Sequence, residues 1–238
     1  MSLPTHYQRS IERLTQQLPS LLGENLYSCV LYGSTVRGHV IDKVSDINIL
    51  VVLNHSTPDA HIAIADCLQD SIYIDPFVIA RPGMARSFDV FAIKFRSIKR
   101  NYKVLAGEDP IKDFSVTDER VQFLAEQALR NLRLRSVNTF IHHRNNIVRY
   151  TRFLLNTHTA LFTYVGEIMR LDHREVPRTY AERIPMIQDY FNIDPRILQT
   201  LETIQADPDQ ITTQAIPQLH RDLFSFLDGI VCWMEKSW

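Results

Sequence analysis

The stretch Leu31-Tyr32-Gly33-Ser34-Thr35-Val36-Arg37-Gly38, followed shortly by Ser45-Asp46-Ile47-Asn48-Ile49-Leu50-Val51-Val52, decides how the chain is read. A run of strand-forming residues ends in Gly-Ser, and a second run opens on an acid. Gly33 lets the backbone approach a ligand closely, and Ser34 adds a hydroxyl and an amide able to hold a phosphate oxygen. Residues two apart on a strand point to the same side, so Asp46 and Asn48 face the Gly-Ser turn while Ile47 and Ile49 enter the core. Two metal-facing groups beside a phosphate-binding turn are the parts that metal-assisted phosphoryl or nucleotidyl transfer requires.

Outward from this stretch, the first half alternates short apolar runs with short polar segments. Residues 7–22 place Ile11, Leu14, Leu18 and Leu21 or Leu22 on one face and predict an amphipathic helix. Residues 26–32, 47–53, 72–79 and 90–98 are rich in Val, Ile, Tyr and Phe and predict strands. Between the second and third, Pro58 opens a helix over 58–69 with Ile62, Ala65 and Leu68 inward. The expected fold class is α/β, a small mixed sheet with helices.

The grammar changes near Asp109. Ala106-Gly107-Glu108-Asp109-Pro110 punctuates the chain, and Thr117 is a good N-cap with Asp118 and Glu119 in the first turn after it. From there only helical spacing appears. Val121, Leu124, Ala128 and Leu132 form one stripe, and Ile147, Thr151, Leu154, Leu161, Val165 and Ile168 another. After Val176-Pro177, shorter helices are expected over 178–191, 195–205 and 212–236. The domains are expected at 1–115, an α/β unit, and 116–238, an all-α helical bundle.

Composition narrows the function classes. The 238 residues are 45% hydrophobic and 22% charged, the balance of a globular protein, and the net charge is −1. Near-neutrality argues against a protein that wraps nucleic acid by bulk electrostatics. The longest apolar run, 47–53, is far short of the ~20 residues a bilayer helix needs, and residues 1–17 carry His6, Arg9, Glu12 and Arg13 where a signal peptide would be apolar. A cytoplasmic protein without membrane contact is expected. Cys29, Cys67 and Cys232 lie far apart without metal spacing and are expected as reduced, buried thiols.

The Gly33-Ser34 turn and the acidic strand start at Asp46 resemble the signature of the nucleotidyltransferase superfamily, most closely the bacterial kanamycin (aminoglycoside) nucleotidyltransferase type. Residues 88–95, followed by Lys103-Val104-Leu105-Ala106-Gly107-Glu108-Asp109-Pro110, resemble the strand and exit of that group's catalytic domain, and a helical second half fits it too. The resemblance covers nearly the whole chain. It implies a nucleotide ligand at Gly33, Ser34 and Asp46 and an Asp-x-Asp pair that, with a third carboxylate on a later strand, holds two magnesium ions.

The chain departs from that pattern. Asn48 replaces the second aspartate, and Lys94 falls where the third carboxylate is expected, so Asp46, Asn48 and Lys94 are the catalytic candidates, with Asp46 and Asn48 the metal candidates. The charge there drops from −3 to zero. Each unit-charge interaction at ~4 Å is worth about 4 kcal/mol at an effective dielectric of ~20, and a lysine opposes a divalent ion by roughly twice that. Magnesium binding is therefore expected to be weakened. Asp89 or Asp75 could supply a carboxylate instead, one metal could still be held by Asp46 and the triphosphate, and Lys94 could stand in for a metal by neutralising phosphate.

From Gln127 to Gly166 there is no Asp or Glu, while Arg130, Arg133, Arg135, Arg144, Arg149 and Arg152 accumulate. Arg37, Arg130 and Arg133 are candidates to reach phosphates. The expected function is nucleoside triphosphate binding with transfer reduced or lost. The alternatives are an active metal-dependent nucleotidyltransferase moving NMP to a hydroxyl acceptor, and an RNA-binding or protein-interaction module. Arg152 with His158 resembles the Arg-x5-His spacing of certain helical ribonucleases, although His158 also falls on the apolar stripe between Leu154 and Leu161 and reads there as a packing residue. The acceptor or protein partner is not named by the sequence, and Trp238 is a candidate homodimer contact.

Overall fold

Helix α1 (Thr5–Leu22) buries Tyr7, Leu14, Leu18 and Leu22, the three-and-four recurrence of one helical face. It belongs to the first of two compact units in a computed structural model, Met1–Val116 and Thr117–Trp238. Residues 3–37, 46–69, 74–177 and 179–238 are described. Gly38, Ser45, residues 72 and 73 of the expected third strand, and the expected helix start at residue 178 lie outside them, as does the Arg37 side chain.

The first unit continues with β1 (Leu26–Tyr32), α2 (Ser34–Arg37), β2 (Ile47–Leu53), α3 (Pro58–Leu68), β3 (Ile74–Ala80), α4 (Met84–Val90), α5 (Ala92–Arg100) and β4 (Tyr102–Gly107). The four strands lie in the order β3-β2-β1-β4, antiparallel except for the parallel pair β2 and β3. β2 is central and covered on both faces, which is why its sequence is unbroken Ile, Leu and Val after Asn48. Ile47, Ile49, Val51 and Leu53 face α1 and α3, with Cys29 and Leu31. Leu50 and Val52 face the other way with Val30 and Tyr32, against Phe95 and Ile98 of α5 and Phe114. Thr57 caps α3 by accepting from the Ala60 amide, and Pro58 takes its first turn.

The expected strand over 90–98 is not a strand. Its Phe, Val and Ile suit a sheet by composition, but Ala92, Phe95 and Ile98, three apart, are wholly buried on one face of α5. Phe95 sits among Phe77, Phe88 and Phe114, with ring centroids 4.7 to 5.9 Å away. Tertiary packing outweighs strand propensity here. The fourth strand is instead Tyr102–Gly107. Its exit is fixed by Asp109, which accepts from the Tyr102 hydroxyl and the Ile111 amide, both at 2.9 Å.

The second unit is α6 (Asp118–His143), α7 (Ile147–Leu171), α8 (Tyr180–Phe191), α9 (Arg196–Ala206) and α10 (Ile216–Ser237). Thr117 caps α6 by accepting from Arg120, and a Thr179/Glu182 capping box opens α8. Cys29 and Cys67 are buried, but Cys232 is exposed, on the solvent side of α10 between the buried Val231 and Met234. Trp238 packs edge-on against Trp233 and is 41% exposed. No described helix is long and apolar enough to cross a membrane.

His220 stacks on Phe140 at 4.1 Å, and its Nδ1 is buried without a hydrogen-bond partner among the described residues. Burial, then the charge of Arg221, hold its pKa below the ordinary 6.5. Folding therefore favours the neutral ring. The associated stability is full above pH ~6.5 and declines below it, where the unfolded chain takes up a proton that the folded chain resists. Urea midpoints at pH 7.5 and 5.5 are expected to differ less in His220→Phe than in the parent.

Candidate functional site

Gly33 ends β1 with φ +84°, a conformation that L side chains rarely adopt, and its amide donates to the Asn101 carbonyl at 3.1 Å. Asn48 packs over it: a Cβ at Gly33 would lie 3.6 Å from Asn48 Nδ2. Asn48 also donates from Nδ2 to the Asp46 carbonyl at 3.4 Å, and the buried Thr35 hydroxyl donates to the same oxygen at 3.5 Å. The residues on either side of the turn thus hold the backbone of Asp46 between them. Asp46 is exposed and Asn48 half-buried.

The strand pairing adds a residue. In the parallel ladder Asn48 is the register partner of Asp75, as Leu50 is of Phe77. Phe77 and Ile79 pack with Leu50 and Val52, whereas Ile74 and Val78 pack on the opposite face. By the strand period, Asp75 shares the face of Asn48 and Tyr32. The match of Lys94 to a third carboxylate rests on a strand that does not form. The acid in that sheet neighbourhood is Asp75, and Asp89 lies on α4. An acid inside the apolar run Ile74-Asp75-Pro76-Phe77 is the signal that points to it, and Pro76 fits the edge position of β3.

Lys94 nevertheless reaches the same sheet face from α5. Its Nζ lies 4.3 Å from the Phe77 ring centroid and 5.9 Å from that of Tyr32. Loss of hydration lowers its pKa, against the attraction of Asp75. Asp46 is raised, by loss of hydration first and then by the negative charge of Asp75. Tyr32 is raised for the same two reasons, and its hydroxyl is buried without a partner among the described residues. Asp46, Asp75, Lys94 and Tyr32 therefore share one electrostatic neighbourhood. Two carboxylates and one ammonium give it a formal charge of −1, not the zero expected from the sequence.

The remaining candidates belong to the second unit. Arg130 pairs with Glu126 and with Glu235 of α10, and Arg133 pairs with Asp228 of α10 while lying over the Phe224 ring. An acid-free stretch of sequence is here supplied with acids by a helix a hundred residues on. His158 is buried, its Nε2 paired with Glu202 and its ring between Phe162 and Tyr180, whereas Arg152 is exposed. That is a packing histidine.

No known family model matches the chain, and no curated protein matches it. Among solved structures it is similar to the spectinomycin adenyltransferase AAD(9) from Enterococcus faecialis, crystallised with ATP and spectinomycin. The likeness has a TM-score of 0.61 at 14% identity and covers 93% of this chain and 99% of that one. The class this defines is structural: a nucleotidyltransferase fold, a mixed four-stranded sheet with helices followed by a helical region.

Proposed function

We propose that this chain binds a nucleoside triphosphate at Gly33, Ser34 and Asp46, and that nucleotidyl transfer is weakened. The observation that carries the reading is the convergence of the Gly33-Ser34 turn, Asp46, Asn48 and Asp75 on one end and one face of the sheet. Gly33 leaves room for a phosphate near the backbone, the Ser34 hydroxyl donates to it, and Thr35 and Asn48 orient Asp46. Asp46, Asp75 and the amide oxygen of Asn48 form a hard oxygen set that suits one magnesium ion arriving with the triphosphate. Such an ion neutralises phosphate charge. Asp46 and Asp75 are two carboxylates where the resembled pattern has three, which supports one ion rather than two. The neutral Asn48 and the ammonium of Lys94 are the reason transfer weakens.

The test is titration with ATP and GTP, with magnesium and with EDTA, while pyrophosphate is followed. Binding with little pyrophosphate release is expected. Asp46→Ala is expected to weaken binding roughly tenfold to a hundredfold, the range for losing a charged partner. If neither nucleotide binds, the reading fails. The second reading, an active transferase acting on a hydroxyl acceptor, is favoured by Asp75, which restores one carboxylate. Magnesium-dependent pyrophosphate release that disappears in Asp46→Ala would establish it.

A further inference from the structure

The described residues bring two carboxylates and one ammonium to this sheet face, a formal charge of −1. Asn48 contributes no charge, and its Nδ2 is turned to the Asp46 carbonyl. The remaining carboxylates, Asp46 and Asp75, are accompanied by a cation of the chain's own. Lys94 is exposed, but its helix is anchored by Phe95 and Ile98, both wholly buried, so the base of its side chain is fixed. The ammonium then lies over Phe77, the residue two beyond Asp75 on the same strand face, at a separation suited to a cation–π contact. Beneath it, Tyr32 keeps a buried hydroxyl that has no partner among the described residues, a donor within the field of Asp75.

We propose that Lys94 takes the place of a second divalent ion, so that the site holds a nucleotide with one divalent ion per chain. The proposal rests on the nucleotide-binding reading above. An ammonium carries half the charge of magnesium but has three donors on a four-carbon stem, enough to follow a phosphate oxygen as the nucleotide enters. The Tyr32 hydroxyl, without a partner among the described residues, remains as a further donor on this face. One ion and one ammonium supply +3 against the two carboxylates and the triphosphate. Without Lys94 the single ion would carry that task alone.

The experiment uses the full chain, Mn2+ and α,β-methylene-ATP, which cannot release pyrophosphate. Bound Mn2+ is counted by electron paramagnetic resonance, and analogue affinity is measured by calorimetry. The parent is expected to bind one Mn2+ per chain with the analogue. Lys94→Met is expected to lower analogue affinity about tenfold or more at saturating Mn2+, and Lys94→Arg to recover most of it. The double variant Asn48→Asp with Lys94→Glu is expected to take up a second Mn2+. Two Mn2+ in the parent, equal affinity in Lys94→Met, or binding as tight in EDTA as in Mn2+ would overturn the proposal and leave nucleotide binding standing. Absence of analogue binding under every condition would instead remove the reading on which it rests. Thermal melts verify folding, and the exposure of Lys94 makes loss of fold an unexpected outcome.

Discussion

Gly107→Ala is expected to destabilise the α/β unit by about 4 kcal/mol, seen as a shift of its far-UV circular dichroism transition to lower urea. Gly107 ends β4 with φ +76°, and a Cβ there would lie 2.2 Å from the Tyr27 carbonyl oxygen and 3.0 Å from its carbon. Both atoms are backbone, so no rotamer change relieves the clash. The strand end must separate from β1, and the Glu108 amide, which donates to that same oxygen at 3.1 Å, loses its partner. Left-handed strain costs roughly 1–2 kcal/mol and the hydrogen bond about 1 kcal/mol, with the displaced edge strand adding the rest. Gly23→Ala is the control. Gly23 also has positive φ, +52°, but a Cβ there meets nothing within 4 Å. Only the backbone conformational cost, roughly 1–3 kcal/mol, remains. Equal effects of the two substitutions would refute the steric argument.

Glu167→Ala is expected to cost about 3–5 kcal/mol in the helical unit, because it removes the wholly buried partner of an ion pair. Glu167 is wholly buried on α7 and accepts from Arg170 Nη1 at 3.1 Å. Glu167→Gln keeps an acceptor and should fall between parent and alanine. The exposed pair of Asp194 with Arg196, at 54% and 73% side-chain exposure, is the comparison. Water screens it, and the unfolding midpoint of Asp194→Ala should stay close to that of the parent. Both tryptophans, Trp233 and Trp238, belong to the helical unit, so their fluorescence reports this transition directly. A Glu167→Ala midpoint as little changed as that of Asp194→Ala would show that the buried carboxylate contributes nothing net.

The same two residues mark how far sequence carries. Gly107 stands out in Gly-Glu-Asp-Pro as punctuation, but the carbonyl that forbids a side chain there comes from residue 27, on another strand. Glu167 reads as the acid that ends an acid-free stretch, and nothing local separates it from a solvated glutamate. The functional stretch behaves similarly. The glycine, the serine and the alternation of Asp46 and Asn48 are local signals and were legible. Thr35 was not, because a threonine beside a turn has no mark distinguishing a buried hydroxyl that holds Asp46 from an exposed one.

By itself the sequence determined what depends on neighbours along the chain: the Gly-Ser turn, the face shared by residues two apart on β2, the helix start at Pro58, the cap at Thr117, and the change from strand to helix grammar near Asp109. Tertiary structure alone decided which residues from distant segments meet. It made 92–100 a helix, because Phe95 and Ile98 pack under the sheet face more favourably than an edge strand could place them. It brought Asp75 beside Asn48 through a parallel register that no local pattern encodes. It also set acids of α10 against Arg130 and Arg133. Pairings across long loops depend on the summed packing of the whole sheet and bundle, and the charge of the site, −1 with its own ammonium, follows from those pairings.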